Sequence, residues 1–180
     1  MIVLGIDPGS RVTGYGVIAI EGTERRVVDY GVVKPETGAS QPIRLKQIYN
    51  GMVEVIDATL PDSCAVEMPI YGRNAQSMLK LGRAQAAAML AAMSREIPVV
   101  EYTPKEIKKA VTGNGNATKS QVWFMLQKLL ALEEDRGLDA SDALAVGLCH
   151  SHRLSGGLRT GSGNTSWASF VKANPERIAE

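Results

Sequence analysis

The order of apolar runs along the chain is the feature that most constrains its fold. Three short runs rich in β-branched residues come first, and the turn sequences Asp7-Pro-Gly9 and Glu21-Gly-Thr-Glu24 separate them. Strands on such short connections pair antiparallel, so we expect a three-stranded meander. Segments with helical apolar spacing then alternate with two more short apolar runs. The predicted strands are 2–6, 14–20, 26–33, 63–67 and 99–102, and the predicted helices are 43–60, 74–95, 104–111, 118–132 and 138–152.

This order of elements predicts an α/β fold, with a mixed five-stranded sheet flanked by helices. The length of 180 residues suits one such domain, which we place at residues 1–154. Between Ser155 and Ser169, eleven of fifteen residues are Gly, Ser, Thr or Asn. Residues 155–180 are therefore expected to form a flexible C-terminal tail.

The formal net charge of +1 conceals an uneven distribution. Residues 69–128 carry nine Lys or Arg against three acids, so the rest of the chain is acidic. This pattern suits an enzyme that holds a polyanion and keeps its carboxylates for metal ions. The chain shows neither an 18-residue apolar window nor a secretory signal, and its two cysteines lie in apolar contexts. We therefore expect a cytoplasmic protein with reduced, buried cysteines.

Four acids occupy positions where a functional site is expected. Asp7 and Glu67 each end an apolar strand, and Asp139 and Asp142 share one face at the start of the last helix. Converging carboxylates repel one another, and hard oxygen ligands favour Mg²⁺ or Mn²⁺ over Zn²⁺. Two such ions about 3.5–4 Å apart would support in-line phosphoryl displacement by water. Three of these acids also have an ordinary alternative: a turn cap for Asp7, a helix cap for Asp139 and an ion pair for Glu67.

Five segments around these acids resemble the motifs of one known family. They are Gly5-Ile-Asp-Pro-Gly-Ser-Arg-Val-Thr-Gly-Tyr-Gly16, Ala65-Val-Glu67, Asn74-Ala-Gln-Ser-Met-Leu-Lys-Leu-Gly82, Lys119-Ser-Gln-Val122 and Asp139-Ala-Ser-Asp-Ala-Leu-Ala145. In this order they are similar to the RuvC family, the Holliday-junction resolvases with a ribonuclease H-like fold. The similarity covers residues 1 to about 153.

The resemblance implies a homodimeric, Mg²⁺-dependent endonuclease that makes paired nicks in a four-way DNA junction. It further implies a role in recombination and repair beside the branch-migration proteins RuvA and RuvB. By position, the four acids match the family's catalytic metal ligands. Lys119 matches a lysine near the active site, and Lys108 matches a basic residue associated with DNA handling.

The loop after the second acid departs from the family pattern. Family members can carry an aromatic residue three positions after that acid, where it contacts unpaired bases. Here that position is Ile70, and the aromatic residue Tyr71 follows it. Either Tyr71 stacks on bases or Ile70 acts as an apolar wedge. The other candidates for DNA contacts, each with a solvated surface as its ordinary alternative, are Arg73, Asn74, Lys80, Arg83, Lys105, Lys108 and Lys109.

The helix that contains Leu79 to Met93 is a candidate dimer interface. It carries small residues at positions 84, 86, 87, 88, 91 and 92, which allow helices to approach closely. A C2 dimer would match the near two-fold symmetry of a junction. Ordinary packing of this helix on the sheet is the alternative.

Other motifs and protein classes compete with the nuclease interpretation. Residues 113–120 approach a phosphate-binding loop, but Thr118 stands where a glycine is required. Cys149, His150 and His152 point to different helix faces, so we expect no zinc site and place the histidines at a helix C-terminus. An actin-like kinase needs a second lobe. A protein that recognises junctions without cutting them, and a nuclease for RNA or linear DNA, remain as alternatives.

Overall fold

Five strands form one mixed sheet in the computed structural model, which describes residues 1–69, 74–132 and 137–158. The strands are β1 (Ile2–Asp7), β2 (Thr13–Glu21), β3 (Glu24–Val33), β4 (Ser63–Glu67) and β5 (Val99–Tyr102). Their spatial order is β3-β2-β1-β4-β5. β1 to β3 pair antiparallel, whereas β4 runs parallel to both β1 and β5. The predicted meander and mixed sheet are confirmed.

Helices cover both faces of this sheet. They are α1 (Gln41–Thr59), α2 (Ala75–Met93), α3 (Pro104–Thr112), α4 (Lys119–Leu130) and α5 (Leu138–Leu158). One apolar core lies between the sheet and α1 and α2, and includes Leu4, Ile6 and Val66. The other lies beneath α3, α4 and α5, and includes Ile18 and Leu144. None of the helices in the described ranges is long and apolar enough to cross a membrane.

Local signals account for several helix ends. Thr103 and Thr118 each cap a helix in a capping box, as expected for Thr118 from its spacing to Gln121. The last helix continues to Leu158, six residues beyond its predicted end. In this extra turn, Ser155 Oγ donates a hydrogen bond to Ser151 O at 2.9 Å. The helix thus passes the expected domain boundary at residue 154, which stays a prediction, and residues 159–180 lie outside the described part.

Of the six small residues singled out in α2, all but Ala86 are buried within the chain. Ala84, Ala88, Ala91 and Ala92 are fully buried against α1 and the sheet. The alternative of ordinary sheet packing therefore holds for these alanines, because they lie on the inner face of the helix. The outer face instead carries larger apolar side chains, with Leu79, Leu90 and Met93 more than half exposed.

His150 links α5 to two strands, and the expectation that it lies at a helix C-terminus is wrong. It is 3% exposed, and the helix continues for two more turns beyond it. Its Nε2 lies 2.7 Å from Ser63 Oγ on β4, and its Nδ1 lies 2.8 Å from Tyr102 OH on β5. Burial lowers the pKa of His150 and so favours the neutral ring.

Glycines allow α5 to rest directly on the backbones of β1 and β2. A Cβ at Gly14 would overlap the carbonyl oxygen of Asp139, and one at Gly5 would overlap that of Ala143. A Cβ at Gly16 would lie 2.8 Å from Leu144 Cα. These contacts are with backbone atoms, which cannot rotate away. The glycines therefore set the height of α5 above the sheet.

We expect Gly14→Ala to lower the free energy of unfolding by about 1–3 kcal/mol, because the added methyl group forces α5 away from the strand. Urea denaturation of the metal-free protein measures the change. Gly82→Ala is the matched control, because a Cβ there meets nothing within 4 Å. This helical substitution should be neutral or stabilising by up to about 1 kcal/mol. Equal effects of the two variants would contradict the packing argument.

Candidate active site at the sheet edge

Strand alternation places two of the predicted acids on the same face of the sheet. Leu4 and Ile6 of β1 point toward α1 and α2, so Asp7 points to the other face. On β4, Val66 likewise points toward α1 and α2, which turns Glu67 to the side of Asp7. The parallel register pairs Ile6 with Val66. One step further along it, Glu67 lies beside Asp7 at the edge of the sheet.

The start of α5 brings a third acid to this edge. Asp142 lines a small pocket of about 130 Å³ together with Asp7 and Glu67. Asp139 lies one turn earlier, where its backbone carbonyl rests over Gly14, the residue paired with Asp7. Its exposed side chain is close enough to raise the pKa of Asp7. All four predicted acids therefore come to one edge of the sheet, three of them in one pocket.

Burial and repulsion from neighbouring acids raise the pKa values of the two strand-end carboxylates, Asp7 and Glu67. Burial, followed by the charges of Glu67, Asp142 and Asp139, raises the pKa of Asp7 from 3.8 to about 8. Burial, followed by the charge of Asp142, raises the pKa of Glu67 from 4.5 to about 7. The site therefore carries electrostatic strain that a bound cation would relieve.

A lysine from α4 supplies one such positive charge. Lys119 Nζ lies 2.5 Å from Asp142 Oδ2, and the capping box of Thr118 places this lysine at the first position of the helix. The hydrogen bond to Asp142 raises the pKa of Lys119. Lys108 of α3 also lines the pocket, and its charge opposes the upward shift of the Glu67 pKa. Both lysines thus add positive charge to the lining of the carboxylate pocket.

The donor set suits a hard divalent cation. Among the described residues lining the pocket, three carboxylates supply oxygen donors, and no thiolate or imidazole is present. Within the described ranges, no group of three or more acidic, histidine or cysteine side chains is placed to hold an ion by itself. Mg²⁺ commonly takes only one or two carboxylates and completes its shell with water and substrate phosphate. The three carboxylates therefore fit a hard divalent cation such as Mg²⁺, which takes only part of its shell from protein oxygens.

The predicted DNA contacts divide into several groups. Lys108 lies in the pocket, and Lys80 lines a separate polar groove beside α1 and α2. Arg83 borders an apolar groove between the same two helices. Asn74 caps α2, because its Oδ1 accepts a hydrogen bond from Ser77 N at 3.1 Å. Ile70, Tyr71 and Arg73 lie outside the described residues.

Lys105 and Lys109 stay predictions as DNA contacts. Both belong to α3, and the stem of Lys105 packs against Gly115 in the following loop. This loop begins at Gly113, whose φ of 78° is readily adopted only by glycine. The loop therefore joins two capped helices and does not wrap a phosphate group between a strand and a helix.

The residues that position the acids were not among the predicted site residues. Gly14 and Gly16 interrupt an otherwise apolar strand, and glycine within a strand often marks a close backbone approach. That signal was present in the sequence. The identity of the approaching segment, the first turns of α5, depends on contacts between distant parts of the chain.

A mixed sheet of this order, with a carboxylate cluster at the ends of β1 and β4, defines the ribonuclease H-like class. The family described as Crossover junction endodeoxyribonuclease RuvC matches residues 3–150. The chain belongs to this family, and the resemblance drawn from its motifs is confirmed.

Relatives and solved structures agree with this assignment. A protein of Salinibacter ruber with the same description is 55% identical over 181 residues, covering 100% of both chains. One of Porphyromonas gingivalis is 44% identical over 182 residues, covering 98% of this chain and 96% of its own. The structure of Thermus thermophilus RuvC in complex with Holliday junction substrate has a TM-score of 0.82 at 34% identity. That similarity covers 87% of this chain and 96% of the other.

The raised carboxylate pKa values predict how stability depends on pH in the metal-free protein. Because Asp7 binds its proton more tightly when folded, its contribution to the free energy of unfolding falls as pH rises from about 4 to about 8. A pKa that differs by one between the folded and unfolded protein changes this free energy by about 1.4 kcal/mol. Asp7→Asn should therefore raise the melting temperature in EDTA at pH 8 and lose this advantage near pH 4. Thermal denaturation at both pH values measures the difference.

Glu21→Gln removes one exposed carboxylate at the opposite end of the sheet and serves as the control. It should leave the pH dependence unchanged. An Asp7→Asn protein that melts below the wild type at pH 8 would show that repulsion among the acids does not govern this site.

Proposed function

We propose that this chain is a structure-specific endodeoxyribonuclease that resolves four-way DNA junctions by paired, symmetric nicks in homologous recombination and repair. The observation that carries the proposal is the single pocket shared by Asp7, Glu67, Asp142 and Lys119. It occurs in a chain 34% identical to a Thermus thermophilus protein whose structure was solved with Holliday junction substrate.

The chemistry follows from the charges of the site. Asp7, Glu67, Asp139 and Asp142 would hold Mg²⁺, with Mn²⁺ as a substitute, and two ions per site are proposed. The bound ions would activate water and polarise the scissile phosphate. Lys119 holds Asp142 in place and offers an ammonium group for the charge that develops on phosphate oxygens. Hydrolysis would leave 5′-phosphate and 3′-hydroxyl ends, which suit religation.

A homodimer would place two such sites on one junction, because symmetric incision needs a two-fold axis. The outer face of α2 supports this arrangement. Leu79, Ala86, Leu90 and Met93 follow one another at intervals of seven, four and three residues, which keeps them on one side of the helix. All four are exposed. We propose that two copies of α2 pack along this stripe.

The remaining functional assignments also belong to the proposal. Lys80, Lys105, Lys108 and Lys109 would contact DNA phosphates. The residues at positions 70, 71 and 73 would act at the crossover, with Tyr71 or Ile70 against the bases. RuvA and RuvB would be partners, and the protein would act in the cytoplasm.

Junction cleavage tests the proposed function directly. Purified protein is given a synthetic junction with a short mobile core or a matched linear duplex. With Mg²⁺, we expect symmetric nicks in the junction alone; EDTA or Asp7→Asn should abolish them. Denaturing gels locate and count the nicks.

Tight junction binding without cleavage in Mg²⁺ or Mn²⁺ would make the protein a structural recogniser and overturn the proposal. Equal cutting of linear duplex or RNA would overturn the junction specificity. Glu21→Gln, at the far end of the sheet, should cut like the wild type.

Lys119→Ala should slow junction cutting by about a hundredfold, the usual scale for loss of one group that stabilises transition-state charge. Junction affinity in EDTA should change far less, since Lys119 is only one of several cations near the site. Single-turnover cutting and fluorescence anisotropy give the two quantities. Equal losses of rate and affinity would contradict a catalytic role.

Leu90→Arg should yield monomers that no longer cut the two strands in a paired manner. The substitution places a charge in the centre of the exposed α2 stripe, where it would be buried in the dimer. Sedimentation velocity gives the oligomeric state. Leu60→Arg is the control, since Leu60 is 74% exposed beyond the end of α1. A dimeric Leu90→Arg protein would exclude this interface.

A further inference from the structure

A second polar groove opens at the same edge of the sheet, on the face opposite the carboxylate pocket. It encloses about 900 Å³ between α1, α2 and two loops. Its lining residues come from the turn after β1, the loop after β3 and the first turns of α1 and α2. The described residues that line it are Ser10, Arg11, Pro35, Thr37, Ala39, Gln41, Arg44, Ser77 and Lys80.

The groove is positively charged. Arg11, Arg44 and Lys80 line it, and no carboxylate is among its described lining residues. The ion pairs found within the described ranges lie elsewhere, at Arg95 and at Lys119. Arg44 is held in place because its Nε donates a hydrogen bond to Ala39 O at 2.9 Å. Three cations therefore line one cleft in which no acid stands among the described lining residues.

The groove also contains an unsatisfied donor. The side-chain Nε2 of Gln41 is buried and has no hydrogen-bond partner among the described residues. A buried amide nitrogen without an acceptor is costly, and a bound oxygen ligand would remove that cost. Hydroxyl groups of Ser10, Thr37 and Ser77 also line the groove. Together with the cations, these donors suit an anion with many acceptor oxygens.

The location connects this groove to the proposed nuclease site. Ser10 and Arg11 follow Asp7 by three and four residues, in the turn that joins β1 to β2. The carboxylate pocket opens on the α3, α4 and α5 side of that turn, and the groove opens on the α1 and α2 side. A polyanionic strand crossing this edge of the sheet would contact both.

We propose that this groove binds the phosphodiester backbone of junction DNA next to the cleaved strand, with Arg11, Arg44 and Gln41 as contacts. The inference rests on the proposed function, since it supplies a second phosphate-binding surface for the same substrate. The residues that line the groove come from two helices and two loops, and this extent suits several successive phosphates of one strand. The occupant we propose is therefore a DNA strand.

Salt dependence of junction binding tests this proposal. Fluorescence anisotropy in EDTA gives the Kd of an uncut junction at about 50 to 300 mM salt. In a plot of log affinity against log salt concentration, each phosphate contact contributes about 0.9 to the slope. The double variant Arg11→Gln/Arg44→Gln should bind the junction more weakly at low salt. The slope of log affinity against log salt concentration should fall by the amount expected for about two lost phosphate contacts. A melting curve checks that the variant is folded.

Gln41→Glu probes the groove without touching either arginine. The nearly isosteric carboxylate should weaken junction binding by repelling phosphates, and more so at low salt than at high salt. Arg26→Gln is the control for loss of one positive charge. Arg26 is exposed on β3 and pairs with Ala19, at the end of the sheet far from Asp7.

Wild-type slopes and affinities in both groove variants would overturn the proposal, as would equal effects of Arg26→Gln and the groove variants. Because binding is measured without metal, the result does not depend on cutting. A wild type that binds junctions through the groove but never nicks them would refute the proposed function alone. Normal nicking with unchanged salt slopes would refute the groove alone.

Discussion

The direct contact between the α5 backbone and the strands beneath it is the constraint on which the site depends. Gly5, Gly14 and Gly16 leave no side chain between helix and sheet, so Asp139 rests over the residue that pairs with Asp7. Further along the helix, His150 bonds to Ser63 and Tyr102 on two strands. The helix is thus held close to the sheet and joined to its strands. The acids at its first turn stay near those at the strand ends.

This contact has an electrostatic cost. It brings Asp142 toward Asp7 and Glu67 in a partly buried pocket, where both strand-end carboxylates acquire pKa values near neutrality. Lys119 offsets part of the repulsion through its bond to Asp142. The repulsion that remains among the carboxylates favours the binding of further positive charge at the site. Packing energy from the apolar cores therefore maintains a cluster that would separate if its residues were free in solution.

The edge of the sheet presents two surfaces of opposite character. On one side of the turn after β1 lie carboxylates suited to cations, and on the other lie Arg11 and Arg44, which suit phosphates. The turn is short, so both surfaces are tied to the same strand. The near-zero net charge of the chain reveals neither of them, because charges of both signs cancel in the sum while remaining separated in space.

Much of this protein was predictable from local patterns. The meander, the strand-end positions of Asp7 and Glu67, the shared face of Asp139 and Asp142 and the capping box of Thr118 all follow from short-range periodicity and turn chemistry. These features depend on residues within a few positions of one another. The resemblance to the family motifs added the prediction that the four acids form one site. The extension of α5 and the burial of His150 were not predicted, and the sequence left open whether the α2 alanines pack on the sheet or at a dimer interface.

Those features, and the groove beside Arg44, arise from contacts between residues far apart in the chain. An alanine that faces the sheet and an alanine that faces solvent give the same helical pattern in the sequence, so the pattern does not distinguish the two. The sequence by itself thus determined which residues are the candidates for the chemistry. Only the tertiary structure decided how near they come to one another, because that distance is set by the packing of α5 on glycine backbone.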